Sequence, residues 1–331
     1  MKFTVLSTIA ALLLAASFTG CAPLPNEACA PGGQCEDDQP PEELAPPVAI
    51  ITIDTSVTAE HDPLPEEVDD EEEATPSCEL GDGSSIDAHQ LPLVLDTPVA
   101  RTSWVGTEPV QIDLSGSTSG GSGRVWHFDQ ELEEEIAVYL EAESAGSHWF
   151  ALDYPDATFV TRIAGTATML GIYQRTLEHI LLLGIASRDG DATTRTQITY
   201  DPPVEVIRFP LQVGDTHTTE SSAHGQYEGV PFYFAQDVYS ISIDAAGTVV
   251  TPVGEFPALR VYTERTLTIP LAFYPFQITT HHKQYGFIAP CLGEIVHVTS
   301  HEGEADIEFS SAPTLERVAL ITPTAGGSDD Q

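Results

Sequence analysis

Short runs in which apolar or β-branched residues alternate with polar ones recur along the chain from residue 91 onwards. Residues 110–114 alternate cleanly, and the Asp-Gly step within residues 188–191 is typical of a hairpin turn. Residues 252–254 (Pro-Val-Gly) mark another turn. No helical segments of about 10–15 residues alternate with these runs, which disfavours a parallel α/β fold. The pattern predicts an all-β, mainly antiparallel domain.

The number of these runs also predicts the shape of the sheet. A meander of about ten or more strands must curl or close to protect its edges, so we expect a large curved or half-barrel sheet. Residues 131–143 fit either a strand at residues 135–141 or a short helix. Residues 244–247 (Asp-Ala-Ala-Gly) predict a turn between two strands, at residues 238–244 and 248–251.

Residues 1–20 have the composition of a secretory leader. Lys2 precedes an apolar run over residues 5–16, which is too short to span a membrane. The motif Phe-Thr-Gly-Cys at residues 18–21 resembles the lipobox of bacterial lipoproteins, which implies that Cys21 receives lipid, including palmitate. An ordinary cleaved signal with an incidental Cys21 is the alternative. Because Ala22 is not the aspartate that holds some lipoproteins at the inner membrane, we expect the outer membrane, at its periplasmic face or at the cell surface.

Residues 21–90 form a segment that is too acidic and too rich in proline to build a core. From Ala22 to Gln90 the chain has 19 Asp or Glu, ten Pro and no Lys or Arg. Such a segment cannot bury enough apolar surface to offset its ordering entropy, so we expect a disordered acidic tether. A calcium-binding tail is the alternative, although the regular oxygen spacing of a calcium loop does not occur. Residues 48–53, a β-branched run, are a candidate edge strand.

The folded domain is expected to comprise residues 91–321, with a disordered tail over residues 322–331. The 331 residues include 51 Asp or Glu and 12 Lys or Arg, and 32 of these acids and 11 of these bases lie beyond residue 90. The formal net charge of −39 excludes a nucleic-acid binder that works by neutralising phosphates. We therefore expect a partner other than nucleic acid.

Four cysteines remain once Cys21 is assigned to lipid, and four cysteines allow three pairings. Cys29 and Cys35 bracket Ala-Pro-Gly-Gly-Gln, a turn that brings them together. We therefore predict the disulfides Cys29–Cys35 and Cys78–Cys291. A zinc site is the alternative, but these spacings match no zinc pattern.

Several turn-rich motifs follow one another along the folded part. They are Trp-x-Phe at residues 126–128, Tyr-x-Pro-Pro at 200–203, Phe-Pro-Leu-x-x-Gly-Asp-Thr at 209–216 and Gly-Thr-x-x-Thr-Pro-x-Gly-x-Phe at 247–256. In this order they resemble an uncharacterised β-rich domain of bacterial secreted proteins and lipoproteins, over about residues 116–300. The last motif also resembles periplasmic half-barrel domains, including the lipoprotein-carrier fold. His217 stands where that β-rich family usually has Trp. The resemblance implies a fold and carries over no catalytic residue.

Motifs of established chemistry do not occur. The sequence lacks a P-loop, a Gly-x-Ser-x-Gly nucleophile elbow and a His-Glu-x-x-His zinc motif. The weak metal candidates are His281, His297 and His301, of which the last two would share one face of a strand. Surface histidines beside Thr and Ser are the commoner explanation, so we expect no cofactor.

The features together predict a lipid-anchored envelope protein that acts as a non-catalytic binding or structural module. Its expected partners are the membrane, through the N-terminal lipid, and an envelope protein or apolar ligand. One alternative is a carrier of an apolar or lipid ligand in a sheet cavity walled by Phe232, Phe234, Phe273 and Phe276. The second alternative is a hydrolase, which would require carboxylates and histidines with shifted pKa values to converge in a cleft.

Overall fold

A computed structural model describes Cys78 and residues 83–91, 93–118, 123–191, 193–270 and 276–319. All structural statements below concern these residues. The predicted leader, the lipidation site, the tether up to residue 77, the Cys29–Cys35 pair, the run at residues 48–53 and the tail at 322–331 lie outside them.

The described chain is built from strands, and its short helices are single 3₁₀ turns at Ala88–Gln90, Ala145–Ser147 and Ala151–Asp153. The strands, in chain order, are β1 Ser85–Ile86, β2 Val99–Trp104, β3 Val110–Gln111, β4 Ser117–Thr118, β5 Arg124–His127, β6 Glu135–Leu140, β7 Ala142–Ser144, β8 Phe159–Arg162, β9 Met169–Arg175, β10 His179–Ser187, β11 Gln197–Arg208, β12 Leu211–Gln212, β13 Thr216–Tyr227, β14 Val230–Thr251, β15 Gly254–Pro270, β16 Gln277–Ala289, β17 Gly293–Thr299, β18 Ser311–Ala312 and β19 Thr314–Val318. The all-β prediction is confirmed.

Fifteen of these strands form one sheet in the order β6-β2-β19-β17-β16-β15-β14-β13-β11-β10-β9-β8-β7, with β5 and β4 branching from β14. Neighbours along this order pair in antiparallel fashion, whereas β5 runs parallel to β14. Two small pairs, β1 with β12 and β3 with β18, complete the described strands. The predicted antiparallel character is therefore correct for the main sheet.

The sheet curves until its two ends approach each other. Only Glu141 separates β6, at one end of the strand order, from β7, at the other. Leu95, just before β2, forms a bridge with Ala142 of β7, and the Asp96 N–H donates to the Ala142 carbonyl at 2.8 Å. One seam stays open, because β6 pairs with β2 on one side and with no strand among the described residues on the other.

Side chains on the concave face fill the space inside the sheet. Leu182, Tyr200, Ala235 and Tyr239 are buried together there, although they come from β10, β11 and β14. At one end, the segment 83–91 packs apolar side chains against the same face of β14 and β15. The members of this end cluster are Ile86, Leu91, Leu211, Ile241, Ile243, Leu259, Val261 and Ile288.

The convex face is covered by aromatic residues of β5 and of the connections between strands. Trp126 and Phe128 each pack edge-on against Phe287 of β16 with ring centroids 5.1 Å apart. Phe309, from the connection after β17, packs against Tyr285 on the same strand. These rings belong to the largest cluster of buried apolar residues, so the convex side contributes a second core.

The predicted turn at residues 244–247 is wrong. The chain continues there as one 22-residue strand, β14, and the irregularity is a register shift between Ile243 and Ala245 in the ladder with β15. A bulge adds one residue and bends the strand without ending it. The turn at residues 252–254 is confirmed, since Thr251 pairs with Gly254. Residues 135–140 form a strand, which resolves the choice between strand and helix.

A disulfide joins Cys78 to Cys291, as predicted, and closes a loop over a sequence separation of 213 residues. The neighbouring backbone supports the same attachment, because the Cys291 N–H donates to the Gln90 carbonyl at 2.6 Å. The bridge therefore fixes the start of the described chain at the end of the sheet that segment 83–91 closes.

Replacing Cys291 by Ala should lower the free energy of unfolding under oxidising conditions by about 5 kcal/mol. The reason is that the cross-link restricts a very long loop in the unfolded chain. Chemical denaturation of parent and variant measures the difference, and the reduced parent serves as the matched control. Equal stability of the oxidised parent and the variant would contradict the expectation.

Candidate functional site

A carboxylate near one end of the strand order binds an arginine near the other end. Glu316 of β19 is almost completely buried, with its side chain 1% exposed. Arg162 of β8 donates two hydrogen bonds to it, at 3.0 and 2.8 Å, and the Gly165 N–H adds a third at 2.9 Å. Charge-assisted, two-pronged bonds of this kind are the strong ones. They connect strands that are distant in the strand order.

A second carboxylate lies close to this pair. Glu294 of β17 accepts a hydrogen bond from Nδ1 of His297 at 3.0 Å, and its carboxylate lies 3.7 Å from the buried Arg101 guanidinium. Arg101 also donates to the Glu294 carbonyl oxygen. Nε2 of His297 lies 3.1 Å from the Thr299 hydroxyl, so both ring nitrogens have partners.

These contacts shift three pKa values in definite directions. Burial would raise the pKa of Glu316, but the hydrogen bonds and charge of Arg162 lower it overall. Burial would likewise raise the pKa of Glu294, and the adjacent His297 lowers it overall. For His297, burial acts to lower the pKa and the Glu294 charge raises it, with a net increase. The cluster therefore favours ionised carboxylates and a protonated histidine.

A third buried carboxylate is surrounded by tyrosines. Asp237 is fully buried, and Arg265 binds it with hydrogen bonds at 3.0 and 2.7 Å. Tyr200 donates to the same carboxylate at 3.3 Å, while the Arg265 guanidinium lies over the Tyr239 ring at 5.3 Å. Burial raises the pKa of Tyr173 to about 12, and the charge of Glu294 adds to the increase. Tyr173 on β9 packs against the apolar cluster that contains Tyr200 and Tyr239, so both charged clusters face the same interior.

These interior groups are poorly suited to acid–base catalysis. A general acid at neutral pH needs a carboxyl whose pKa is raised, whereas those of Glu294 and Glu316 are lowered. Each of the three carboxylates also has an arginine neighbour. The arrangement stabilises charges inside the protein, so it supports a structural role for them.

The three histidines considered as metal ligands do not form a common site. Nδ1 of His281 lies 3.0 Å from the Thr266 hydroxyl, His301 is exposed, and His297 contacts Glu294 and Thr299. In the part of the chain that the structure describes, no three His, Cys, Asp or Glu side chains are grouped so that they could hold a metal ion.

Two of the surface clefts among the described residues border strands of the main sheet. One, of about 280 Å³, borders β12 and β13, and its wall includes Arg208 and His217. Both residues are already engaged, since Arg208 binds Glu205 at 2.6 Å and His217 Nε2 lies 2.9 Å from the Glu205 carbonyl. The other, of about 500 Å³, lies beside β5. Its wall includes His127, whose Nδ1 lies 3.4 Å from the Asp129 carboxylate.

The phenylalanines predicted to wall a cavity are exposed at one end of the sheet. Phe232 is 93% exposed, Phe276 67% and Phe234 46%, and Val230 beside them is 63% exposed. We call these four residues the apolar rim. Phe273, the fourth phenylalanine of the prediction, lies outside the described residues. The interior of the sheet is lined by other side chains, so the three described phenylalanines do not enclose a ligand there.

Two adjacent hairpins position the apolar rim. Val230 pairs with Tyr227 at the tip of the β13–β14 hairpin, and Pro270 pairs with Gln277 near the tip of the β15–β16 hairpin. Since β14 and β15 pair directly, both tips project from the same end of the sheet. Phe232 has φ +65°, a backbone conformation that is unfavourable for a bulky side chain.

The described residues contain no helix long and apolar enough to cross a membrane. The chain matches none of the protein-family models, curated proteins or solved structures with which it was compared. The resemblance to a secreted β-rich domain therefore stays a prediction.

Replacing Glu316 by Gln should lower the free energy of unfolding by about 3–5 kcal/mol. The substitution leaves Arg162 buried without a compensating charge, and removal of one partner from a buried ion pair has costs of this size. Replacing Arg124 by Ala is the control, because its pair with Glu308 is exposed on both sides and should contribute about 1 kcal/mol or less. Similar losses in the two variants, measured by denaturant titration, would contradict a special role for the buried pair.

The contribution of His297 to the free energy of unfolding should decrease as the pH rises. Its pKa is raised above the ordinary value of 6.5, so its stabilising contribution is complete below that value and is lost as the pH rises through the higher folded-state pKa. Stability measured across this window should therefore fall with pH in the parent and change less in a His297→Gln variant. His224→Gln is the control, because His224 is exposed. Identical pH profiles of the parent and His297→Gln would refute the assignment.

Proposed function

We propose that the protein is a lipid-anchored envelope protein of the outer membrane whose β-rich domain is a non-catalytic binding module. The observation that carries this proposal is the apolar rim, which exposes large apolar side chains together at the end of an otherwise well-packed sheet. Exposed apolar patches of this kind mark binding surfaces. The lipobox-like motif at residues 18–21 supports the anchor, and residues 22–77 supply a spacer.

The attachment point and the apolar rim lie at opposite ends of the sheet. β16 begins at Gln277, next to the rim, and ends at Ala289, next to Cys291. A strand of this length spans about 40 Å. The disulfide thus fixes Cys78 at the end of the sheet opposite to the apolar rim.

Carriage of an apolar ligand inside the sheet has less support. The concave side holds Asp237, Arg265 and Glu316 in ion pairs, and such groups are costly to bring into contact with an apolar ligand. A hydrolase also has less support, because the buried carboxylates have lowered pKa values or arginine partners. The apolar rim is the feature that neither alternative explains.

Replacing Cys21 by Ser should abolish labelling of the protein with palmitate and release the chain from the outer membrane or leave it as an uncleaved precursor. The reason is that the thiol would be the acyl acceptor. Metabolic labelling and membrane fractionation measure the two effects. Cys29→Ser, which removes another cysteine of the same region, should retain the label. Continued labelling and outer-membrane sedimentation of Cys21→Ser would show that the anchor is not at this residue.

A further inference from the structure

The apolar rim consists of side chains that are exposed at two neighbouring hairpins. Phe232 protrudes from a hairpin tip with nearly its whole side chain exposed, and Phe276 protrudes from the neighbouring hairpin. A partner that buries both must surround each ring from several sides. The fluid acyl and glycerol region of a lipid surface can do so without a preformed pocket, and burying apolar side chains there is favourable.

Tyrosines flank Phe232 at the end of the β13–β14 hairpin, with Tyr227 in the tip pair and Tyr233 next to Phe232 in the chain. Tyr227 and Tyr233 are half-buried, and their rings pack 5.7 Å apart between the centroids. The Tyr227 hydroxyl donates to Glu228 at 3.4 Å. Aromatic residues with an apolar ring and a polar tip are typical of membrane–water interfaces. Phenylalanine and tyrosine side chains together at one hairpin end fit a boundary between acyl chains and headgroups.

The charges around the apolar rim indicate which lipids it fits. The β10–β11 connection adjoins the β13–β14 tip, since the Gly229 N–H donates to the Arg195 carbonyl at 2.9 Å. That connection exposes Asp189 and Asp191, and Glu228 is exposed beside it.

The arginines of the same region compensate the charge of these acids only in part. Arg188 binds Glu143 at 2.7 Å, and the Arg195 guanidinium lies over the Trp149 ring at 5.1 Å. An anionic lipid surface would therefore be repelled by uncompensated acids. A zwitterionic lipid surface has no net charge and would not be repelled.

We propose that the apolar rim docks on a zwitterionic lipid surface, with Phe232 and Phe276 inserted among the lipids. This inference rests on the proposed function, since it names the partner of the same binding surface. The docking is distinct from the covalent anchor at Cys21, which lies at the other end of the tether. Two attachments, one covalent and one through the apolar rim, would hold the domain on lipid more firmly than either alone.

The test uses the chain from residue 22 to residue 331, oxidised to form the Cys78–Cys291 bridge, so that neither the leader nor the acyl chains contribute. Flotation with phosphatidylcholine vesicles measures binding, and vesicles that also contain phosphatidylglycerol measure the effect of lipid charge. We expect binding to the former and weaker binding to the latter. A Phe232→Ser, Phe276→Ser double variant should bind at least about tenfold more weakly, because each buried ring is worth roughly one to two orders of magnitude in partitioning.

Matched controls separate insertion from general hydrophobicity and from misfolding. Leu152→Ser and Leu177→Ser remove side chains that are 96% and 72% exposed, outside the apolar rim, and should bind as the parent does. Phe232→Trp should retain binding, and its added fluorescence should shift to shorter wavelength on vesicles.

Three results would overturn the docking proposal. They are equal flotation of the parent and the double variant, no flotation of the parent, and a dimer in solution that only the double variant abolishes. In the last case the apolar rim would bind a second copy of the chain. Palmitate labelling at Cys21 is measured independently, so the failure of docking and the failure of the anchor are distinguishable.

Discussion

The charge of Glu316 must be compensated inside the protein, and the sheet has to curve for this to happen. Its partners, the Arg162 guanidinium and the Gly165 N–H, come from β8 and the turn after it, close to the opposite end of the strand order. A buried carboxylate without partners is strongly unfavourable. Compared with apolar residues of similar size, such a pair adds little to the free energy of unfolding. It does destabilise any arrangement of the strands in which the two partners are apart. The pair therefore specifies the curvature more than it strengthens the fold.

Curvature of this kind determines what the two faces of the sheet can do. The concave face receives the ion pairs of Glu316 and Asp237 together with apolar and tyrosine side chains, and it becomes a filled interior. The convex face is covered by Trp126, Phe128 and their neighbours. Since both faces of the sheet are covered over much of their area, the edges and ends of the sheet are the surfaces that remain for binding a partner. The apolar rim stands at one of these ends.

Sequence patterns predicted many of the strands and missed some whose buried positions carry charged residues. Alternation and turn residues identified much of β9 to β17, and the cysteine spacing identified the Cys78–Cys291 bridge. The strands β2 and β19 were not predicted, because the buried residues of β2 are Arg101 and Ser103, and those of β19 include Glu316 and Arg317. These charged and polar residues reverse the usual pattern. The ion pairs could not be predicted either, because their members are far apart in the sequence. Arg162 and Glu316, for example, are 154 residues apart. The phenylalanines were identified as a group, but a pattern of residues does not distinguish the wall of a cavity from the tip of a hairpin.

Phe232 shows why the apolar rim calls for a partner. Its φ of +65° is one that glycine adopts without strain and a bulky aromatic residue does not. Glycine would also remove an exposed apolar ring from a surface that is otherwise strongly acidic. Neither the backbone nor solubility in water therefore accounts for a phenylalanine at this position. Burial of the ring against an apolar phase does account for it, because the gain on binding can offset the strain that the free protein carries.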